Sequence, residues 1–333
     1  MCTAVTYRTK NHYFGRNLDL EHSYDEAVTV VPRNFPFRFR KAGSLETQYA
    51  IIGMATMAGG YPLFYDATNE KGLSIAGLSF PGYADYKPQM AGKDNIAPFE
   101  LTAWLLGQCA NRKEARTLLE RINLVNIHFS DEYPLTPLHW MIADREGSIT
   151  AEPVREGLKI YENPAGVLTN SPPFDIQLFN LNNYMRLTAE EPQNSFSDAL
   201  ELKTYSKGMG ALGLPGDLSS MSRFVRAAFA RMNSRSGESE PESVSQFFHI
   251  LGSVAQQRGL VRLGDGKYEI TVYSSCCSTD RGIYYYTTYE NSRITAVDMY
   301  RENLDGDRIR TYPLITGPQI CMQNGAHPKD RQP

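Results

Sequence analysis

The sequence predicts an α+β protein in which antiparallel sheets are layered with helices, organised as one domain over residues 2–333 with Met1 removed. Three observations lead there. Strand-like and helix-like patterns come in blocks (β, α, β, α, β) without the 30-residue βαβ alternation of a Rossmann or TIM fold. Aromatic residues make up 11% of the chain, 20 of them tyrosines, which suits a β-rich, well-packed core. No linker, internal repeat or low-complexity tract divides the 333 residues, and the polar stretch "NSRSGESEPES" reads as a surface loop.

Taken in order, "CTAVTY" and "YFGRNLDL" flank the polar turn "TKNH" and read as a hairpin returning residues 16–19 to the neighbourhood of residue 2. "VTVVP", "YAIIGMATM" and "GLSIAGLSF" are further strands, the last two separated by the turn "DATNEKG". "PFELTAWLLGQCA" and "KEARTLLERI" carry apolar residues three or four apart and read as helices. A meander follows in "LHWMIAD", "ITAEPV" and "LKIYEN", joined by the turns "REGS" and "REG". "GVLTN" is a strand ending at "SPP", and "IQLFNLNNYMRL" reads as a helix. The glycine-rich loop "GMGALGLPGD" leads into the helix "SSMSRFVRAAFARM", which Ser219, Ser220 or Ser222 caps, and "ESVSQFFHILGSVAQQ" is a second amphipathic helix. "YEITVYSS", "GIYYYTTYE" and "RITAVDMY" close the chain as strands.

Composition excludes several functions. A formal net charge of −3 offers no electrostatic footprint for nucleic acid or an anionic membrane. No apolar run approaches the roughly 20 residues that span a bilayer. Without a basic leader and apolar stretch at the N-terminus, a cytoplasmic enzyme is the expectation. The cysteines are Cys2, Cys109, Cys276, Cys277 and Cys321, an odd set without C-x-x-C spacing, so neither a disulfide framework nor a zinc site is suggested. Cys109 lies in an apolar helical segment and reads as a small buried hydrophobe. Scattered histidines without H-E-x-x-H give no support to metal catalysis, and no cofactor is expected.

Cys2 is different. Once Met1 is removed, it carries a thiol and a free α-amine on one residue. An α-amine titrates at about 7.7–8.0 and accepts the thiol proton directly or through a water, so no histidine is required. The returning strand adds "GRNLD". Arg16 favours the thiolate through its permanent charge, and Asp19 accepts hydrogen bonds from the amine. Residues 16 and 19 lie on opposite faces of a regular strand, so both reach Cys2 only where the strand bends or ends. His12 is a rival base, but it falls in the turn at the far end of the hairpin, as a surface residue. "GLPGD" lacks the lysine and hydroxyl of a phosphate-binding loop.

Together, "MCTAVTY…FGRNLDLE", "YAIIGMATM", "NEKGLSIAGLSFPGY", "LHWMIAD", "GVLTNSPPFD", "GLPGDLSSMSRFVRAAF" and "GIYYYTTYEN" resemble the choloylglycine hydrolases, the group of bile salt hydrolases and penicillin V acylases within the N-terminal-nucleophile hydrolases. The resemblance runs from residue 2 to about residue 310 at nearly constant spacing. It implies a four-layer αββα sandwich and a homotetramer. It also implies Cys2 as nucleophile, with Arg16 and Asp19 as the charged pair beside it. Asn170 would donate its side-chain amide to the oxyanion, and Arg223 completes the group. Ser79 departs from the pattern: bile salt hydrolases commonly have Asn there and penicillin V acylases Tyr. The family's residue at this position offers its backbone N–H to the oxyanion, which any residue type preserves.

The implied substrates are glycine- or taurine-conjugated bile acids, with penicillin V as the alternative and a non-catalytic binding protein as a third reading. A steroid needs an apolar trough. Leu18, the loop with Met57, Ala58, Tyr61, Phe64 and Tyr65, and the segment with Phe129, Tyr133 and Leu135 are its candidate lining, although each aromatic fits a core position equally well. Burying roughly 200 Å² of steroid at about 25 cal/mol per Å² contributes about 5 kcal/mol before ordering costs.

Overall fold

The structure, a computed structural model, describes residues 1–324. Residues 325–333, the end of the expected domain, lie outside the described part. In chain order the strands are β1 (Cys2–Arg8), β2 (His12–Leu20), β3 (Ala27–Val31), β4 (Phe37–Arg38), β5 (Ser44–Leu45), β6 (Ile51–Ala58), β7 (Tyr61–Asn69), β8 (Ser74–Ser79) and β9 (Asp94–Ile96). They continue as β10 (Ile122–Leu124), β11 (Leu138–Asp144), β12 (Gly147–Val154), β13 (Gly157–Glu162), β14 (Val167–Leu168), β15 (Ile270–Ser278), β16 (Ile283–Thr288), β17 (Thr295–Asp298) and β18 (Arg310–Pro313). The helices are α1 (Leu101–Gln108), α2 (Arg112–Leu119), α3 (Phe174–Asn180), α4 (Ser220–Asn233) and α5 (Glu240–Gly252).

Two antiparallel sheets carry the architecture. One runs β14-β1-β2-β15-β16-β17 and the other β13-β12-β11-β8-β7-β6-β3-β18. Helices α4 and α5 cover the first sheet, α1 and α2 cover the second, and β1 and β2 face β7 and β8 between them. This is the four-layer αββα sandwich expected, and the two apolar clusters follow from it. Val5, Phe14, Ile52, Met141, Phe224 and Phe247 belong to the cluster that fills the space between the sheets and beneath α4 and α5. Ile51, Ile75, Leu105, Trp140 and Ile149 belong to the cluster between the second sheet and α1 and α2. Neighbours in sequence such as Ile51 and Ile52 fall in different clusters because a strand buried on both faces sends alternate side chains to opposite layers.

Local signals are satisfied where they matter for the site. Ser219 is the α4 N-cap, accepting from the Ser222 N–H. Gly59 and Gly60, at φ +54° and +82°, make the tight connection between β6 and β7. The stretch read as a loop, 57–65, is therefore the end of one strand, a turn and the start of the next. "IQLFNLNNYMRL" is helical only through α3 and a 3₁₀ turn at Leu181–Tyr184. Phe174, Leu178 and Leu181 form the face packed on the core, but Met185 is 82% exposed, so nothing beyond that turn is packed to sustain a longer helix. Among the described residues no helix is long and apolar enough to cross a membrane, and no group of three or more His, Cys, Asp or Glu side chains is placed to hold a metal.

Candidate active site

Cys2 opens β1 on the inter-sheet side, 3% exposed and paired across the hairpin with Leu18. Its backbone N–H donates to Asn170 Oδ1 at 2.8 Å. That oxygen also accepts from Arg223 Nη2 at 2.7 Å, while Asn170 Nδ2 donates to the Ser79 carbonyl at 2.8 Å. Arg223 lies in the first turn of α4, next to the cap, and is wholly buried. Its Nη1 donates to the Cys2 carbonyl at 2.5 Å and to Thr3 Oγ1 at 2.6 Å, and its Nε donates to the Leu218 carbonyl at 3.0 Å. One guanidinium thus ties the start of β1 to Asn170, which follows the edge strand β14.

Asn170 is itself fixed from behind. Its backbone N–H donates to Ser220 Oγ at 2.8 Å, and Gln177 Nε2 donates to its carbonyl at 2.6 Å. The preceding residue, Thr169, accepts a hydrogen bond on its carbonyl from His139 Nε2 at 2.9 Å. His139 is stacked on Phe80 and bonded through Nδ1 to Glu152. Burial at every step makes these bonds costly to break and holds the amide in one orientation.

Arg16 and Asp19 both reach the site, as the sequence required. Along β2–β15 the register runs Thr271↔Asp19 and then Tyr273↔Leu18, leaving Val272 as an extra residue. This bulge bends the ladder between positions 16 and 19. Gly15 allows the close approach of β15: a Cβ there would meet the Ser275 carbonyl at 2.0 Å. Asp19 accepts from Thr271 Oγ1 at 2.6 Å and lies 4.0 Å from Arg223 Nη1. Arg16 Nη1 donates to the carbonyls of Gly77 at 2.6 Å and Tyr65 at 3.0 Å. Among the described residues, the buried Asp19 Oδ2 and Arg16 Nη2 have no hydrogen-bond partner.

These charges are not those of a solvated surface. Burial pushes the Asp19 carboxyl up from its ordinary value, against the pull of Arg223, the terminal ammonium, Thr271 and Arg16. Burial works against the Arg16 charge too, but the potentials of Cys2, Tyr273, Asp66 and Asp19 outweigh it and raise that group. For Arg223 burial wins and lowers it, with Asp19 and Cys2 opposing.

Met1 extends the strand by one rung. Its ammonium donates to the Asp19 carbonyl at 2.7 Å and pairs with Glu269, while its own carbonyl accepts from the Asp19 N–H at 3.0 Å. Burial pulls this ammonium down from its ordinary value, with Cys2 and Asp19 opposing. An amine in this environment gives up its proton more readily than one in water.

The structure thus brings Cys2, Arg16, Asp19, Ser79, Asn170 and Arg223 together. Leu18 and Tyr65 adjoin them, Leu18 opposite Cys2 and Tyr65 through its carbonyl on Arg16. Ala58 ends β6 at the turn. Phe129 packs with Tyr61, Phe99 and Tyr133, under the Arg40 guanidinium, and Phe64 joins Tyr61 against the outer core. Sequence reasoning missed Asp66, Thr271, Tyr273, Ser275 and Tyr284. In the sequence Asp66 reads as the first residue of the turn "DATNEKG", whereas it is inside β7. His12 is corrected: it begins β2 and is 2% exposed, bonded to Thr6 and Thr279. It is buried, yet it pairs with Arg8 at the end of the hairpin away from Cys2.

Residues 2–312 match the family described as linear amide C–N hydrolases, choloylglycine hydrolase family. A bile salt hydrolase/transferase from Lactiplantibacillus plantarum is 60% identical over 97% of this chain and its own full length. One from Clostridium perfringens is 42% identical over 94% of this chain and 96% of its own. The crystal structure of a cysteine-to-alanine conjugated bile acid hydrolase from C. perfringens superposes with a TM-score of 0.90 at 41% identity, covering 97% of this chain and all of that one. The penicillin V acylase of Agrobacterium tumefaciens shares the fold, with a TM-score of 0.73 at 20% identity over 93% of this chain and 90% of its own. With Cys2 at the start of an αββα sandwich, this chain belongs to the choloylglycine hydrolase family of amide C–N hydrolases.

Proposed function

We propose that this protein is a bile salt hydrolase that cleaves the amide of glycine- or taurine-conjugated bile acids with Cys2 as nucleophile. The observation that carries the reading is the 2.8 Å contact between the Cys2 nitrogen and Asn170 Oδ1, inside a ring formed with Arg16, Asp19 and Arg223. Loss of Met1 turns that nitrogen into a free amine already anchored beside its own thiol.

The amine takes the thiol proton, and the sulfur forms a bond to the amide carbon, placing negative charge on the carbonyl oxygen. The second N–H of Asn170 Nδ2, not used on Ser79, and the Ser79 backbone N–H are the donors for that oxyanion. The ammonium returns its proton to the amide nitrogen as the C–N bond breaks, and glycine or taurine departs. Water then gives a proton to the amine and attacks the thioester; as the C–S bond breaks, the ammonium returns that proton to the Cys2 sulfur and the bile acid is released. Both relatives named above carry "transferase" in their names. An amine replacing water at the thioester would return an amide through the same groups.

The reading takes residues 2–333 as one catalytic domain acting in the cytoplasm, with Leu18, Ala58, Tyr65 and Phe129 against the steroid. Phe179 near the end of α3, and Met185, Phe196, Tyr205 and Leu212 on the segment between α3 and α4, are between 64% and 82% exposed. This apolar surface supports assembly into a homotetramer, which light scattering on purified protein tests. Parallel assays on glycocholate, taurocholate and penicillin V test the substrate: turnover of both bile salts is expected, and a preference for penicillin V would make this chain an acylase of that second type.

A further inference from the structure

Asp66 is a carboxylate of β7 buried between the two sheets at 2% exposure. It belongs to the second sheet, yet its partners belong to the first. Tyr273 OH donates to Oδ1 at 2.7 Å, and Tyr284 OH and Ser275 Oγ reach Oδ2 at 2.7 and 3.1 Å. Ser275 Oγ in turn accepts from the Arg16 backbone N–H at 3.1 Å. The residue before Asp66 touches Arg16 as well. The β6–β7 register passes from Met54↔Asp66 to Ala55↔Phe64, so Tyr65 is the extra residue of a bulge, and its carbonyl receives Arg16 Nη1. A buried guanidinium needs a counter-charge. Asp19 is shared with Arg223, which leaves Asp66 as the second anion of the site.

We propose that Asp66 is a positioning residue for Cys2: linked to Arg16 through Ser275 and Tyr65, its carboxylate is the second counter-charge of that guanidinium and limits how strongly it favours the thiolate. Asp66 acts only through Arg16. The groups that face the pair are few. Around Asp66 stand Arg16, Tyr273, Tyr284 and Cys277, with Glu240 of α5 behind Cys277. Around Cys2 stand Arg16, Arg223 and the terminal amine, with Asp19 beside that amine and both arginines. Burial raises the Asp66 carboxyl from its ordinary value, while Arg16 and the three hydroxyls oppose that rise.

The inference rests on Cys2 being the nucleophile, so its test reads Cys2 without turnover and survives a wrong choice of substrate. Mature protein, with Met1 loss verified by mass, is alkylated with iodoacetamide across a pH series, and modification of Cys2 is followed by peptide mass spectrometry. Because the thiolate is the alkylated form, the midpoint of the profile reports the field at the sulfur. In Asp66→Asn the midpoint should fall by about half a pH unit or more, as for removal of one nearby buried anion. Tyr284→Phe keeps the carboxylate but removes one donor, so Asp66 holds its proton to higher pH and the midpoint should fall by less. A purely structural role would lower the melting temperature and leave both midpoints in place. Unchanged or raised midpoints overturn the proposal; should Asp66→Asn fail to fold, the midpoint of Tyr284→Phe decides alone.

Discussion

Replacing Asn170 by alanine separates two roles that one side chain combines. Its Oδ1 accepts from the Cys2 nitrogen at 2.8 Å and from Arg223 Nη2 at 2.7 Å, and its Nδ2 holds the Ser79 carbonyl at 2.8 Å with one N–H remaining for substrate. Losing an oxyanion donor removes about 2.7–4 kcal/mol of transition-state stabilisation, or roughly 10²–10³ in kcat. Stranding a buried guanidinium N–H should cost roughly another 1–3 kcal/mol of folding stability. Asn170→Asp keeps an acceptor for Arg223 and the amine but replaces the donor with an anion set against the Ser79 carbonyl. Both variants should lose kcat on glycocholate by at least about 100-fold with little change in KM, and both should melt lower, Asn170→Ala through the stranded guanidinium N–H and Asn170→Asp through the facing oxygens. Either variant turning over within about threefold of the parent enzyme would place the oxyanion elsewhere.

Ser79→Asn or Ser79→Ala should keep kcat within about threefold, since the donor assigned to this position is a backbone N–H, and a loss of two orders of magnitude would give its hydroxyl a direct role. His12 predicts a pH dependence of stability. Burial, with Asp280 and Asp144 opposing, lowers it from 6.5 to about 4. The unfolded chain therefore takes up the proton first. Stability is complete above the unfolded value, falls as pH drops from 6.5 to about 4, and levels below that, a total of about 3 kcal/mol. Urea unfolding at pH 7 and pH 4.5 should show most of this difference in the parent protein and lose it in His12→Gln; an equal pH dependence in both would assign the effect to other groups.

Much of the fold was legible because a strand pairing with its neighbour in sequence leaves local marks. The β1–β2 hairpin and the β11–β12–β13 meander carry turn residues between period-2 runs, and Ser219, one of three candidate capping serines, marks the start of α4. β7 was missed: its glycine-led start reads as a loop and its end as the turn "DATNEKG". Partners distant in the chain leave no such mark. That β15 lies beside β2 is written in no local pattern, and with it went the bulge at Val272, Thr271 on Asp19 and the tyrosines on Asp66. His12 was misplaced for a related reason: a polar residue at a turn reads as solvated until a third strand is known to cover it, here through Thr279. Of the proposed site, Cys2 and the charged pair on its hairpin followed from adjacency and chemistry, whereas Asn170 and Arg223 came from resemblance alone. Each reaches Cys2 across more than 160 residues of chain.

Under the proposed mechanism, loss of Met1 changes the chemistry of one nitrogen without having to build the site around it. With Met1 attached, the Cys2 nitrogen is a peptide N–H that donates to Asn170 Oδ1 and has no lone pair to accept a proton. Removing Met1 breaks its two backbone hydrogen bonds to Asp19 and the ion pair with Glu269. The bonds of Arg223 to Cys2, Thr3 and Asn170 involve no atom of Met1 and survive. A chain with one additional residue kept before Cys2 should therefore melt within about 5 °C of mature protein, since the Arg223 bonds that join β1 to Asn170 are common to both forms. Its turnover should nonetheless fall by at least about 10³-fold, because the thiol has lost its only attached base. Circular dichroism melts and glycocholate assays on the two mass-verified forms check both halves. Equal turnover would show that the base is some other group, and an unfolded blocked chain would show that the free amine is needed to assemble the site.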